Sequence, residues 1–284
     1  MALTPEADLD PGTGPPAAVD GARDGERSPA VLKAVALLDI LSRSRQPLGV
    51  SDLARTAGIP KSSAHNLLAS LASVGLVYRQ GGTAEYVLGA RILELASRFL
   101  DSDALNAVYA DAAREFVRDT GETVQMGRLE GTEVVYTARF EASRAIQLTS
   151  RVGTRIHAST TAMGKAALSM LTDEEIRRRY AGVEALPIET DRSIGTLSGL
   201  LAEVQHVRLR DGVAVDDEEN GIGLRCYGVP LFEIMGMCYA ASTTITASGH
   251  SRAEEAAIVE ALQRLRRRIV LDRSLGLAPA AAGA

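Results

Sequence analysis

Apolar residues recur at Val31, Ala34, Val35, Leu38 and Leu41, the i, i+3, i+4, i+7 spacing that makes one face of an amphipathic helix. Ser28 is placed to cap that helix, and Pro29 fits its first turn, where a missing amide hydrogen costs nothing. The segment RQPLG ends it. A second, short helix carries Val50, Leu53, Ala54 and Ala57. Gly58 then supplies the positive φ of a tight turn, and Pro60 favours a new helix start. The third helix sets Ala64, Leu67, Leu68 and Leu71 on one face. After Gly75, LVYRQGGTAEYVLG reads as two short strands, about Leu76–Arg79 and Glu85–Leu88, around a Gly81-Gly82 loop. Helical spacing returns at Ile92, Leu95, Ala96 and Phe99, a stripe with no evident partner inside so small a module; it suits a linker and dimer seam, or packing against the chain's own C-terminal domain.

The rest of the chain alternates between the two periods. Leu105, Val108, Tyr109, Ala112 and Phe116 predict a helix ending at Thr120-Gly121. TVQMGRLEG and EVVYTARF, parted by Gly131, read as strands, and so does AIQLTS. Helices are expected around Thr161–Met170, after Thr172 with Glu175 completing a Thr-x-x-Glu capping box, and over Leu197–Leu209. GVAVDDEENGIGLRCYGVPLF and MGMCYAASTTI read as strands with a charged turn between the first two. Ser251-x-x-Glu254 opens a last helix running to about Leu271. The predicted fold is α+β: a winged helix-turn-helix domain over 29–89, a linker helix over 90–102, and an antiparallel sheet flanked by helices over 103–276. Residues 1–28, rich in Pro, Gly, Ala and Asp, are expected to form a disordered arm, and 277–284 a disordered tail.

Charge sharpens this division. The 284 residues sum to −5, but residues 1–30 carry −4, residues 31–91 carry +4 and the remainder −5. The one basic segment is the one that holds the tight helix pair. No apolar run reaches the roughly 18 residues of a membrane helix and no secretory signal opens the chain, so a cytoplasmic protein without membrane contact is expected. Cys226 and Cys238 are too few for a disulfide framework, neither sits in a Cys-x-x-Cys pair, and the four histidines are scattered. No metal and no cofactor is expected.

Two short helices joined by a three-residue turn cross steeply, so the second projects its outer face away from the domain, as in proteins that read the DNA major groove. That face offers Lys61, Ser62, Ser63, His65, Asn66 and Ser70. These are small or hydrogen-bonding residues that let a helix approach base edges closely. Asn66 suits an adenine edge, whereas Lys61, Ser62 and Ser63 suit phosphates near the helix N-terminus. Arg79 and Gln80, near the tip of the hairpin wing, reach toward phosphate or the minor groove. A three-helix structural module with an incidentally polar face is the plain alternative.

Three motifs in order, LARTAGIPKSSAHNLLASL, HASTTAMGKAALSML and GVAVDDEENGIGLRCYGVPL, resemble the isocitrate lyase regulator (IclR) family of bacterial transcription factors over about residues 29–276. The resemblance implies a GAF-like C-terminal domain that binds a small organic or aromatic acid, and dimers or tetramers on double-stranded operator DNA. Carried over residue by residue, it implies an effector pocket formed by Ala162, Met163, Gly164, Asp216, Cys226, Ser242 and Thr244. The chain departs from the common pattern at Asn66, where an Arg is frequent, and in HASTTAMGKA, two residues longer than the usual form. His157 is therefore placed only near the pocket.

The residue types fit such a role on physical grounds. An Ala-Met-Gly turn opening the helix that holds Lys165 offers amides to a carboxylate. Ser242 and Thr244 alternate with Thr243, so both hydroxyls face one side of a strand. Asp216–Glu219 reads equally as a solvated turn, and Cys226 as plain core. Two other functions compete with an effector-responsive regulator. One is a thiol enzyme using Cys226, His157 and Asp216, although no nucleophile-elbow or P-loop motif accompanies them; the other is a DNA-binding protein without an effector.

Overall fold

The computed structural model describes residues 28–102, 105–142 and 150–276, and these fall into two compact units that divide after Asp103. The expected arm and tail, and all but Ser150 of the AIQLTS strand, lie outside the described residues; Ser150 itself is irregular.

In the first unit α1 (Pro29–Arg43), α2 (Val50–Thr56) and α3 (Lys61–Ser73) pack over a three-stranded antiparallel sheet. Its strands are β1 (Leu48–Gly49), β2 (Val77–Arg79) and β3 (Glu85–Leu88), in the order β1-β3-β2. Leu37, Leu41, Leu53, Leu68, Leu71, Val77 and Tyr86 form one buried cluster, so each helix contributes its apolar stripe to a shared core. Gly58 takes φ 64° between α2 and α3, the left-handed conformation that a side chain resists. Ser28 stands at the N-cap of α1 in an extended conformation, but its side chain makes no capping hydrogen bond. The two-residue β1 falls where the sequence suggests only a helix end, and it exists because the edge of β3 pairs with it through Leu48 and Tyr86. α4 (Arg91–Ser102) closes the unit and leaves Leu93 and Leu95 exposed.

The second unit is built on a six-stranded antiparallel sheet in the order β6-β5-β4-β9-β8-β7. In chain order the strands are β4 (Val124–Glu130), β5 (Glu133–Phe140), β6 (Arg155–His157), β7 (Ala214–Asp217), β8 (Leu224–Ile234) and β9 (Met237–Thr246). The helices are α5 (Leu105–Thr120), α6 (Ala162–Leu168), α7 (Asp173–Arg179), α8 (Leu197–Leu209) and α9 (Arg252–Gly276). Each face of the sheet has its own core. Strand alternation sends Tyr239, Ala241 and Ile245 of β9 to a cluster with α5 and α9, and Cys238 and Ala240 to a cluster with α6, α7 and α8.

Local signals set the helix ends. Thr172 and Glu175 form the reciprocal capping box of α7, and Ser251 with Glu254 makes the same exchange at α9. α6 is buried along its whole length, and Gly228 of β8 lets it lie against the sheet: a Cβ there would stand 2.4 Å from the Ala162 carbonyl oxygen. Among the described residues no helix is long and apolar enough to cross a membrane.

Candidate functional site

The outer face of α3 forms as its polar spacing predicts. Ala64, Leu68 and Leu71 are buried, whereas Lys61, Ser62, His65, Asn66 and Ser70 are exposed and Ser63 is half-buried. Lys61, Ser62 and His65 border an open groove of about 630 Å³ whose other wall is the start of α2, at Ser51 and Asp52, and the wing loop at Thr83–Glu85. The structure brings Asn66 and Ser70 to the same exposed face beyond this groove, where the Ser70 hydroxyl donates to the Asn66 carbonyl oxygen at 3.0 Å. Arg79 and Gln80 are exposed on the wing, and neither borders the groove. Tyr78 is 62% exposed beside them, an aromatic that the short strand pattern gave no reason to place outward. Asp52 is engaged by Arg55 at 3.1 Å, which offsets the acid at the groove's edge.

The second unit holds a cavity of about 310 Å³ between the sheet and α6. Strand register builds its floor. Asp216 pairs with Cys226, Cys226 with Thr244, and Ser242 with Gln125, and residues directly opposite share a face of the sheet. Ser242 and Thr244 line the cavity together, while Thr243 between them turns to the other face and donates to the Thr123 carbonyl oxygen at 2.8 Å. Gln125 donates to the Ser150 hydroxyl and carbonyl oxygens at 2.8 and 3.2 Å. Met163 reaches in from α6 over Gly127, where a Cβ would sit 2.8 Å from its sulfur. Tyr136, Ile156 and Leu224 supply the apolar wall, and the exposed Ile222 stands at the mouth.

Of the residues singled out from the sequence, Ala162, Met163, Asp216, Cys226, Ser242 and Thr244 line this cavity. Gly164 does not. Its amide donates to the capping Thr161 hydroxyl at 3.0 Å, and a Cβ on it would meet the Ala158 backbone at 2.3 Å, so its task is close packing. Lys165 does not line the cavity either; it is wholly buried and ion-paired with Glu219. His157 lies in β6, its carbonyl accepting from Thr160 and Thr161, and it is not a lining residue. The sequence patterns did not single out the other lining residues, Gln125, Tyr136, Ser150, Ile156, Thr161, Asn220, Ile222 and Leu224. Gln125 had a signal: it is the polar position between Val124 and Met126 in an otherwise buried strand.

The acidic turn is solvated only at Asp217 and Glu218, which pair with the exposed Arg192. Asp216 is 2% exposed and Glu219 9% exposed. Asp216 Oδ1 accepts from the amides of Glu219 and Asn220 at 2.7 and 3.2 Å. Burial nevertheless raises the Asp216 carboxyl above its ordinary range, against the opposing hydrogen bonds and Lys165, and burial likewise raises Glu219. Burial also pushes the Cys226 thiol up, with Asp216 adding to the effect; its sulfur lies 3.3 Å from the Thr244 hydroxyl. A thiol held in its neutral form is a lining group and a poor nucleophile.

Both units match one family. The model for the IclR helix-turn-helix domain covers residues 30–81, and that for the bacterial transcriptional regulator IclR C-terminal domain covers 98–271. The chain belongs to the IclR family. It is similar to the HTH-type transcriptional regulator KdgR of Escherichia coli (strain K12), 30% identical over 74% of this chain and 79% of that protein. The Thermotoga maritima IclR crystal structure is 28% identical, with a TM-score of 0.68 over 85% of this chain and 97% of its own. An IclR homologue from Microbacterium hydrocarbonoxydans, crystallised with 4-hydroxybenzoate, shares the fold at 20% identity and TM-score 0.73, over 87% and 99% of the two chains. This IclR-family protein is thus a DNA-binding transcriptional regulator with a C-terminal effector domain.

Proposed function

We propose that this IclR-family regulator binds a small organic or aromatic acid in the 310 Å³ cavity, and that occupancy of the cavity sets its affinity for operator DNA. The observation that carries this reading is the cavity lining itself: the sheet hydroxyls of Ser242 and Thr244 share it with the apolar bodies of Tyr136, Met163 and Leu224. A lining of this kind, a few hydroxyls among apolar side chains, matches a ring or short chain that ends in a carboxyl group. A homologue of the same fold crystallised with 4-hydroxybenzoate supports an aromatic acid.

On the DNA side, Lys61, Ser62 and Ser63 are assigned to phosphates, His65 and Asn66 to base edges, and Ser70 to the far end of the reading face. Arg79 and Gln80 extend the contacts through the wing. One winged domain makes too few contacts for specific affinity, so the protein acts as a homodimer or homotetramer that sets two recognition helices in successive major grooves. The chromosome places it in the cytoplasm. Domain boundaries at 29–89, 90–102 and 103–276 match the same division of labour.

The test is a gel shift of the full chain on its own upstream intergenic DNA, titrated with small carboxylic and aromatic acids. One acid should alter a specific shift, and at a hundred times its dissociation constant it should stabilise its domain by about 2.7 kcal/mol. A specific shift that no acid changes, with no thermal stabilisation by any of them, would sink the effector assignment.

A further inference from the structure

An acid in this cavity meets an electrostatic difficulty. Among the described residues no Lys, Arg or His lines the cavity, and the one ionised-type group that does is Asp216. The cation that acts on Asp216, the Lys165 ammonium, is already spent on Glu219 Oε1, and Arg139 is engaged by the Ser150 carbonyl oxygen and Glu141, while Glu219 Oε2 is buried with no hydrogen-bond partner among the described residues. Asp216, Glu219 and Lys165 thus bring two buried carboxyls to one buried ammonium, and an anionic ligand adds a third negative group.

The surrounding groups do not resolve the imbalance. Among the described residues, the titratable side chains facing the pair are Lys165 from α6, Cys226 from β8, Tyr136 from β5 and Glu203 from α8. Glu203 is itself shared with Arg210 and His206 on the solvent side, and Arg192 engages Asp217 and Glu218. Only the neutral thiol, the phenol and the single ammonium act on the cavity side. Asp216 Oδ1 accepts from two backbone amides and the Cys226 thiol also hydrogen-bonds this carboxyl, so the group Asp216 can add toward a ligand carboxylate is an O–H of its own.

We infer that the cavity binds its acid together with one proton, held by the Asp216–Glu219 pair, so that effector binding by this regulator is coupled to pH. The inference rests on the acid-effector reading above and specifies its regulation. The ligand enters as its anion and one proton comes from solution; the Asp216 carboxyl then donates its O–H to a ligand carboxylate oxygen, and no other bond is made or broken.

The experiment is the dissociation constant of the full chain for benzoate and 4-hydroxybenzoate, with 4-hydroxybenzamide as the uncharged counterpart, by calorimetry from pH 5.5 to 8.5. The wild type should bind the acids with constant affinity at the acid end and lose about tenfold per pH unit above the titration of the free pair. Asp216→Asn, which keeps the acceptor for both amides, should lose this pH slope, whatever its affinity at the acid end. A flat wild-type profile across the range overturns the inference while leaving the acid reading intact, and so does a slope that survives in Asp216→Asn. If neither acid binds, whether or not the amide does, the acid reading fails first and the proton coupling falls with it. The wild-type profile decides the matter even if the variant does not fold.

Discussion

Replacing Lys165 by Met tests the buried pair most directly. Lys165 is completely buried in α6, and among the described residues its ammonium is the one cation paired with Glu219. Met fills much of the same volume without the charge, so the variant leaves a buried carboxylate unpaired, which costs about 3–5 kcal/mol. For a domain of this size that corresponds to a fall in melting temperature of roughly 10 °C. The pH dependence has a definite sign. Burial already raises the folded-state pKa of Glu219, and removing Lys165 raises it further. The folded protein then holds a proton that the unfolded chain releases, so stability is lost as pH rises above the ordinary carboxylate range and recovered as pH falls toward it. Thermal and urea unfolding of the full chain at pH 5 and pH 8, monitoring the transition of the second unit, should show the larger deficit at pH 8. Lys165→Met with Glu219→Gln removes both charges and should regain most of the loss. The reasoning is wrong if Lys165→Met stays within about 1 kcal/mol of wild type at pH 8, if its deficit grows toward acid, or if the double variant is no better than the single.

Other contacts carry their own expected outcomes. Lys61→Ala should weaken binding to all DNA sequences alike and reduce the slope of log affinity against log salt by about 1, measured by fluorescence anisotropy. Asn66→Ala should instead change base preference, costing about 1–3 kcal/mol at one operator position and little elsewhere. Gly228→Ala would drive a Cβ to 2.4 Å from the Ala162 carbonyl oxygen, and backbone cannot swing aside as a side chain can. It should destabilise the second unit by about 1–3 kcal/mol and weaken binding in the cavity, because α6 must shift. Thr172→Ala should cost about 1 kcal/mol through loss of the α7 cap, and it should leave ligand affinity unchanged.

Sequence was informative wherever the cause of structure is local. The periodicity of α1, α2 and α3 and the positive φ at Gly58 depend on residues a few positions apart, and so do the capping boxes at Thr172 and Ser251. The recognition face was legible for the same reason, since burying Ala64, Leu68 and Leu71 on one side of a helix leaves Lys61, His65 and Asn66 on the other. Six of the fourteen described cavity residues were reached through the family resemblance and strand alternation together. Gly164 and His157 were not separable from the lining residues, because close packing on Ala158 and pairing in β6 involve partners that the local pattern does not display.

The sequence by itself determined the order of elements and the split between a basic helical unit and a sheet-based one. It also determined which hydroxyls of β9 share a face, because period and capping are properties of short stretches of chain. Tertiary structure alone decided that β1 and β6 exist, since segments of two and three residues become strands only when β3 and β5 offer their edges. It alone turned Asp216 and Glu219 inward and set Glu219 against Lys165 across 54 residues of chain. Charge in a sequence reads as solvent exposure until packing removes the water, and that packing comes from α6, α8 and the sheet together.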